Sequence, residues 1–278
     1  MQKFTTKTEL INYLETIAKK KTIGFVPTMG ALHKGHLSLI EESNNNCDIT
    51  ICSIFINPTQ FNNPEDLAKY PNTFDKDLSL LKQVNCDIVY SPQISDLYIS
   101  GESAKNYNFG DVAALMEGEY RPEHFNGMAT IVEKFFRIIK PTKAFFGQKD
   151  LQQLQVVKAL VKQMKIPTEI ISTPTIREKS GLAKSSRNKL LSSSDKKNAS
   201  LIYRCLLYCR NNKVMGIKTL KKYICDKINS NKNIQLEYVE FVNLEKMQAI
   251  QEWEEENKNA ICIATYVSGV RLIDNIIL

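Results

Sequence analysis

Apolar positions in the first two-thirds of the chain fall into short unbroken runs, separated by longer segments with helical spacing. The runs at 22–26 (TIGFV), 49–56 (ITICSIFI), 87–90 (DIVY), 143–146 (KAFF) and 168–172 (TEIIS) are apolar or β-branched and read as strands. The segments at 34–43, 74–84, 129–139 and 150–164 read as helices. So does the start of the chain, where Leu10, Ile11, Leu14, Ile17 and Ala18 have the spacing of one helical face. This alternation predicts an α/β domain with a mostly parallel sheet, because parallel neighbours need crossover connections that are usually helical. Ligands of such sheets sit beyond the carboxyl ends of the strands.

The texture changes after residue 176. A run rich in serine and lysine, EKSGLAKSSRNKLLSSSDKK, leads into helical patterns at 195–211 and 217–229, and strands return at 236–242, 260–266 and 271–278. Two domains are expected, 1–176 and 177–278, the second a smaller α+β domain with the sequence KSSRN at the junction.

Composition narrows the class. A chain of 278 residues can bury a sizeable core, and 43% hydrophobic with 24% charged residues is the balance of a globular protein. No apolar run approaches the ~20 residues of a membrane span, and the N-terminal segment has no signal-peptide core, so a soluble cytoplasmic protein without a membrane partner is expected. Seven cysteines, scattered through apolar segments and without a C-x-x-C, read as reduced core residues. The net charge of +7 admits nucleic acid or polyanionic small substrates; the lysines are dispersed along the chain, as on a solvated surface, which disfavours nucleic acid.

Chemistry concentrates in PTMGALHKGH, residues 27–36, which places two of the three histidines three residues apart directly after the first predicted strand. The turn then lies at the strand's carboxyl end, and His33 and His36 open the next helix. Free N–H groups and the positive end of the helix dipole suit a phosphate there, and two imidazoles on one face can donate to phosphate oxygens as charge builds during attack at phosphorus. The same spacing also serves a pair of metal ligands or two surface residues. A second segment, KSSRN at 184–188, joins hydroxyls to cations that can close over a triphosphate, although its composition is also that of an ordinary loop.

Together the two segments resemble the paired signatures of the nucleotidyl-transfer superfamily that includes the class I aminoacyl-tRNA synthetases. Six blocks in order narrow the resemblance: PTMGALHKGH, FINPTQF (55–61), EDLAKYP (65–71), EGEYRPEHFNGM (117–128), FFGQKDLQQLQ (145–155) and REKSGLAKSSRN (177–188). In these blocks the chain resembles the pantothenate synthetase family; beyond Asn188 there is little specific similarity. The resemblance implies a Rossmann-like, mostly parallel sheet flanked by helices, with a smaller C-terminal α+β domain. It implies an ATP-dependent ligase that joins pantoate to β-alanine through a pantoyl adenylate, with Mg2+ on the β- and γ-phosphates, and a homodimer.

The same resemblance implies roles. His33 and His36 contact phosphate, Met29 lines the reaction centre, Lys149 reaches a phosphate, and Gly147 and Asp150 face the ribose. Ile176 and Lys184 belong to the ATP site, and Ser185, Ser186 and Arg187 close on the phosphates. Gln60 and Gln153 bind pantoate, with Tyr70 over that pocket, and Asn57 with Gln60 shapes the β-alanine site. Glu117 and Arg121 read as an ion pair or as substrate contacts, and His124 as a structural histidine. Lys184, Ser180 and Gln148 stand where the family usually has Met, Asp and Glu. Two other readings stay open: a different adenylyl- or nucleotidyl-transferase of the same fold, and a noncatalytic RNA-binding relative of the synthetases.

Overall fold

All five apolar runs of the first two-thirds form strands in the computed structural model, which describes residues 1–17, 20–61, 64–68, 70–255 and 258–278. Ala18 of the first helical pattern and Lys69 of the EDLAKYP block lie outside the described residues. The chain divides into two compact units. The first holds Met1–Phe109, Glu117–Gln148 and Val156–Thr173; the second holds Gly110–Met116, Lys149–Gln155 and Pro174–Leu278.

In the first unit β1 (Gln2–Phe4), β2 (Ile23–Thr28), β3 (Ile49–Ile54), β4 (Ile88–Tyr90), β5 (Lys143–Gly147) and β6 (Glu169–Thr173) form one sheet in the order β1-β4-β3-β2-β5-β6. Every pairing in it is parallel. Every residue of β3 is buried, which is why its sequence reads as an unbroken apolar run and not as an alternation. The helices are α1 (Lys7–Ile17), α2 (Lys34–Asn46), α3 (Pro64–Ala68), α4 (Phe74–Gln83), α5 (Ile94–Leu97), α6 (Glu117–Tyr120), α7 (His124–Ile139) and α8 (Leu151–Gln163), the last beginning in the second unit. Leu39 and Ile40 of α2 and Leu81 of α4 pack with Val26, Cys52, Val89 and Phe145 of the sheet. From β2 the chain winds outward through β3 to β4, then returns to place β5 on the other side of β2. The crevice between the carboxyl ends of β2 and β5 is therefore the switch point where such sheets bind ligands.

Three departures from the sequence pattern have local causes. Helix α7 starts five residues before the expected 129, because Asn126 and Gly127, poor helix formers, hide its first turn in the pattern. Strand β1 has only three residues and lies at the sheet's edge beside β4, too short to show a period. Strand β3 ends at Ile54, and Phe55 and Ile56 already belong to the loop that follows.

In the second unit β7 (Ile234–Asn243), β8 (Asn259–Val267) and β9 (Val270–Ile277) form an antiparallel sheet in chain order. The two-residue turn between β8 and β9, Ser268-Gly269, has φ of 49° and 80°, the paired positive values of a type I′ hairpin. Helices α9 (Ser193–Asn211) and α10 (Ile217–Asn229) supply Leu206, Leu220 and Ile224 to a core completed by Phe241, Ile261 and Ile263 of the sheet. A reciprocal cap starts α9, in which Ser192 and Asp195 satisfy each other's backbone N–H. All seven cysteines are free, and burial pushes the Cys86 and Cys209 thiols up to about 12. Among the described residues no helix is long and apolar enough to cross a membrane.

Candidate active site

Strand β2 runs into PTMGALHKGH, and the loop turns sharply at two successive left-handed residues, Gly30 at φ +82° and Ala31 at φ +52°. Such a turn aims consecutive N–H groups into one concavity that attracts an anion. Here the anion is the protein's own. Asp77 of α4, 1% exposed, accepts from the N–H of Ala31 (Oδ2, 2.8 Å) and of Leu32 (Oδ1, 2.8 Å), while the Thr73 hydroxyl lies 3.1 Å from both oxygens. A Cβ on residue 30 would stand 3.1 Å from Asp77 Oδ2 and 3.2 Å from Ile54 Cγ2, so a side chain there is crowded as well as strained by the positive φ. In the sequence Asp77 carries no mark beyond its place in the helical pattern at 74–84. Its signal was a carboxylate four residues before Leu81, on the buried stripe of an amphipathic helix.

His33 caps α2 with extended backbone, and its Nδ1 accepts the Gly35 N–H at 3.1 Å. One of the helix-terminal N–H groups expected to meet phosphate is thus already taken. With Nδ1 as acceptor, a neutral His33 ring carries its proton on Nε2 and presents a donor there. His36, one helical turn on, stacks against it with ring centroids 4.1 Å apart and planes 26° from parallel. The structure thus brings both imidazoles together at the start of α2, beside the switch-point crevice that Gly147 borders at the end of β5.

The loop after β3 builds an amide cluster. Asn57, fully buried, donates through Nδ2 to Gln60 Oε1 (3.2 Å) and to the Gly127 carbonyl (3.1 Å). Its Oδ1 accepts from the Tyr98 hydroxyl at 2.7 Å. Burial raises the Tyr98 hydroxyl above its ordinary range, so it remains a neutral donor. Gln60 in turn places Nε2 2.9 Å from the Met29 sulfur, which links this cluster to the β2 loop. His124 sits behind it, with Nδ1 2.8 Å from the Gln60 carbonyl and Nε2 3.1 Å from Arg121, whose guanidinium lies 3.6 Å from Glu117. These three residues brace the loop from behind. Tyr70 packs its ring edge-on to Phe61 at 5.7 Å.

Helix α7 meets this loop so closely that a Cβ on Gly127 would stand 2.1 Å from the Thr59 carbonyl oxygen and 2.7 Å from Gln60 Cα. Gly127→Ala must push the two apart. We expect a loss of ~1–3 kcal/mol, the usual range for overpacking; denaturant titration checks it. Beyond the carboxyl ends of β1, β3 and β4 a cleft of about 990 Å³ opens, walled by Met29, Gly30, Phe55, Asp77, Ser91 and Tyr98.

The second unit gathers a separate set of groups. Lys149, Ser185, Arg187, Asn188, Arg271 and Asp274 line one small pocket. Ser185 caps a short 3-10 helix, Ser186–Leu190, by accepting the Arg187 N–H at 3.3 Å, and Asn188 ties that turn to the Ala183 carbonyl at 3.0 Å. The segment expected as a loop is therefore a built turn. Lys149 Nζ is 3.3 Å from Asp150 Oδ1, and Gln153 is half-buried near the start of α8. Lys184 donates its backbone N–H to the Ile176 carbonyl at 2.9 Å, and its ammonium pairs with Glu178 at 3.0 Å. The cation at position 184 thus has a carboxylate partner within the same loop. Asp274 is paired with Arg177 at 2.6 Å; burial raises its carboxyl even though the guanidinium opposes this. Among the described residues no three His, Cys, Asp or Glu side chains group to hold a metal ion.

A family model described as pantoate-beta-alanine ligase matches residues 2–277. The pantothenate synthetase of Cytophaga hutchinsonii is 43% identical over 275 residues, covering 96% of this chain and 95% of its own. That of Christiangramia forsetii is 42% identical over 283 residues, covering 100% and 99%. Among solved structures, pantothenate synthetase from Thermus thermophilus superposes with a TM-score of 0.93 at 34% identity, covering 99% of each chain. Pantoate-beta-alanine ligase from Francisella tularensis, crystallised with beta-gamma ATP and beta-alanine, gives a TM-score of 0.83 at 37% identity, covering 100% of this chain and 97% of that one.

Proposed function

The chain belongs to the pantoate–β-alanine ligase family and catalyses the ATP-dependent condensation of pantoate with β-alanine through a pantoyl adenylate; from that premise we propose which of its residues do the work. In the first half-reaction a carboxylate oxygen of pantoate attacks the α-phosphorus, the bond to the bridging oxygen breaks, and pyrophosphate leaves. In the second, the β-alanine amine attacks the activated carbonyl, the C–O bond to phosphate breaks, AMP leaves, and the nitrogen gives up a proton. A carboxylate is a poor acyl donor because its leaving group would be an oxide; adenylation makes that group a phosphate monoester.

The task for the protein is positioning and neutralisation of phosphate charge. His33, through Nε2–H, and His36 donate to phosphate oxygens where charge develops. Lys149, Ser185, Ser186 and Arg187 offset the charge of the departing pyrophosphate. Gly147 and Asp150 face the ribose, and the strand-like backbone at Ile176 and Lys184 takes the adenine edge. Met29, Gln60, Gln153 and Tyr70 hold pantoate; Asn57 with Gln60 receives β-alanine, primary amides being able to serve both hydroxyl and carboxylate.

Magnesium belongs to the same proposal. It would ride on the β- and γ-phosphates of ATP, which Lys149, Ser185, Ser186 and Arg187 hold. Bound there, it supplies charge neutralisation at the β- and γ-phosphates. Seven free thiols suit a reducing compartment, and we place the enzyme in the cytoplasm. The family resemblance supports a homodimer, which light scattering reads as twice the chain mass.

One observation carries the assignment of roles: two stacked imidazoles at the tip of α2, where the order of the parallel strands reverses. The test is exchange of labelled pyrophosphate into ATP. Exchange should depend on pantoate, and AMP should be released when β-alanine is added. Exchange with unrelated acids, or without any acid, would point to another adenylyl-transferase of this fold; salt-sensitive RNA binding without turnover would point to the noncatalytic reading.

A further inference from the structure

Two consecutive residues of β9, Asp274 and Asn275, reach two parts of the cationic pocket at once. Asn275, 3% exposed, donates through Nδ2 to the Lys149 carbonyl at 2.7 Å. Asp274 accepts from both terminal nitrogens of Arg177, at 2.6 and 2.9 Å, and its Oδ1 also accepts the Asn275 N–H at 2.8 Å. The two side chains are thereby held to each other as well as to their partners.

Arg177 extends the grip to the loop. It donates to the carbonyls of Gly181 (3.1 Å) and Asn275 (3.3 Å), and its guanidinium lies 3.6 Å from the centre of the Tyr203 ring. Its backbone bridges to Ala183, two residues before Ser185. One strand thus fixes both the backbone that bears Lys149 and the base of the turn that bears Ser185 and Arg187. Long cationic side chains lose most of their orientation unless the backbone beneath them is held, and misplacement by ~1 Å costs ~10²-fold in a step that relies on positioned charge.

Resting on the reading of Lys149, Ser185 and Arg187 as phosphate-binding groups, we propose that Arg177, Asp274 and Asn275 form a positioning clamp for the adenylation half-reaction. None of the three needs to touch substrate. They act by fixing the groups that offset the charge of the departing pyrophosphate, so their effect belongs to the first half-reaction and not to the second, from which pyrophosphate has already gone.

The experiment separates the halves. Asn275→Ser shortens the donor that holds Lys149, and Arg177→Lys keeps the charge while losing the two-pronged contact with Asp274. Each variant is assayed for pantoate-dependent pyrophosphate exchange, and for AMP release from chemically prepared pantoyl adenylate on addition of β-alanine. The clamp predicts exchange lowered ~10–100-fold with release altered less than about twofold. A purely structural role lowers both equally, and that result, or two unchanged rates, overturns the clamp. If Asn275→Ser does not fold, Arg177→Lys decides. Unchanged pantoate-dependent exchange in Lys149→Ala and Arg187→Ala would instead overturn the underlying reading of those groups, so the two failures are distinguishable.

Discussion

Replacing His36 by alanine is expected to lower pantoate-dependent pyrophosphate exchange by ~10²-fold or more, which is the scale of removing one donor aimed at developing charge. The side chain sits in the first turn of α2, where the helix is capped by His33 and not by His36, so the substitution removes a donor without removing the cap. It also removes the 4.1 Å ring stack with His33. Stability should therefore change by no more than ~1 kcal/mol, within the range of an ordinary substitution. His33→Ala differs in kind, because it also abolishes the bond from the Gly35 N–H and with it a cap typically worth ~1 kcal/mol. Exchange rate and denaturation midpoint measured on both variants separate the two roles. Wild-type exchange in His36→Ala would refute the assignment of that imidazole to phosphate.

The parallel sheet was legible because burial on both faces turns each central strand into a continuous apolar run, as in ITICSI, and because helical spacing fills the gaps between them. The placement of the histidines followed from the same order: a turn after the first long strand has to lie at a carboxyl edge. Amphipathic spacing also located α10 at its observed bounds, since Leu220, Ile224 and Ile228 repeat every fourth residue. What stayed hidden was whatever depends on contacts distant in sequence. Asn275 meets the Lys149 carbonyl across 126 positions, and no local pattern announces such a bond. The close approach of Gly127 to Thr59 is equally silent, for a glycine in a helix reads only as a weak helix former. The motif blocks end at Asn188, so the sequence offered no reason to look at Arg271, Asp274 or Asn275 on the last strand.

Asp77 is the residue whose loss should do most damage from outside the set of groups assigned to substrate. Its two oxygens accept from Ala31, Leu32 and Thr73, and the turn they hold is left-handed at both Gly30 and Ala31. A non-glycine residue such as Ala31 occupies that region only when its surroundings enforce it. Asp77→Asn keeps the volume but places an amide N–H₂ against a backbone N–H, donor facing donor. Hydrogen bonds to a charged acceptor are worth ~1.5–3 kcal/mol each, so a stability loss of ~2–4 kcal/mol is expected. The turn is then free to relax, and because α2 begins two residues beyond Leu32, the imidazoles move with it. A displacement of ~1 Å carries a penalty of ~10²-fold in exchange. The decisive measurement is a double-mutant cycle with His36→Ala. If Asp77 acts by placing the histidines, removing His36 first leaves Asp77→Asn little more to lose, and the two effects on exchange add to much less than their sum. Full additivity would show that Asp77 influences the reaction by some other route than the turn it binds.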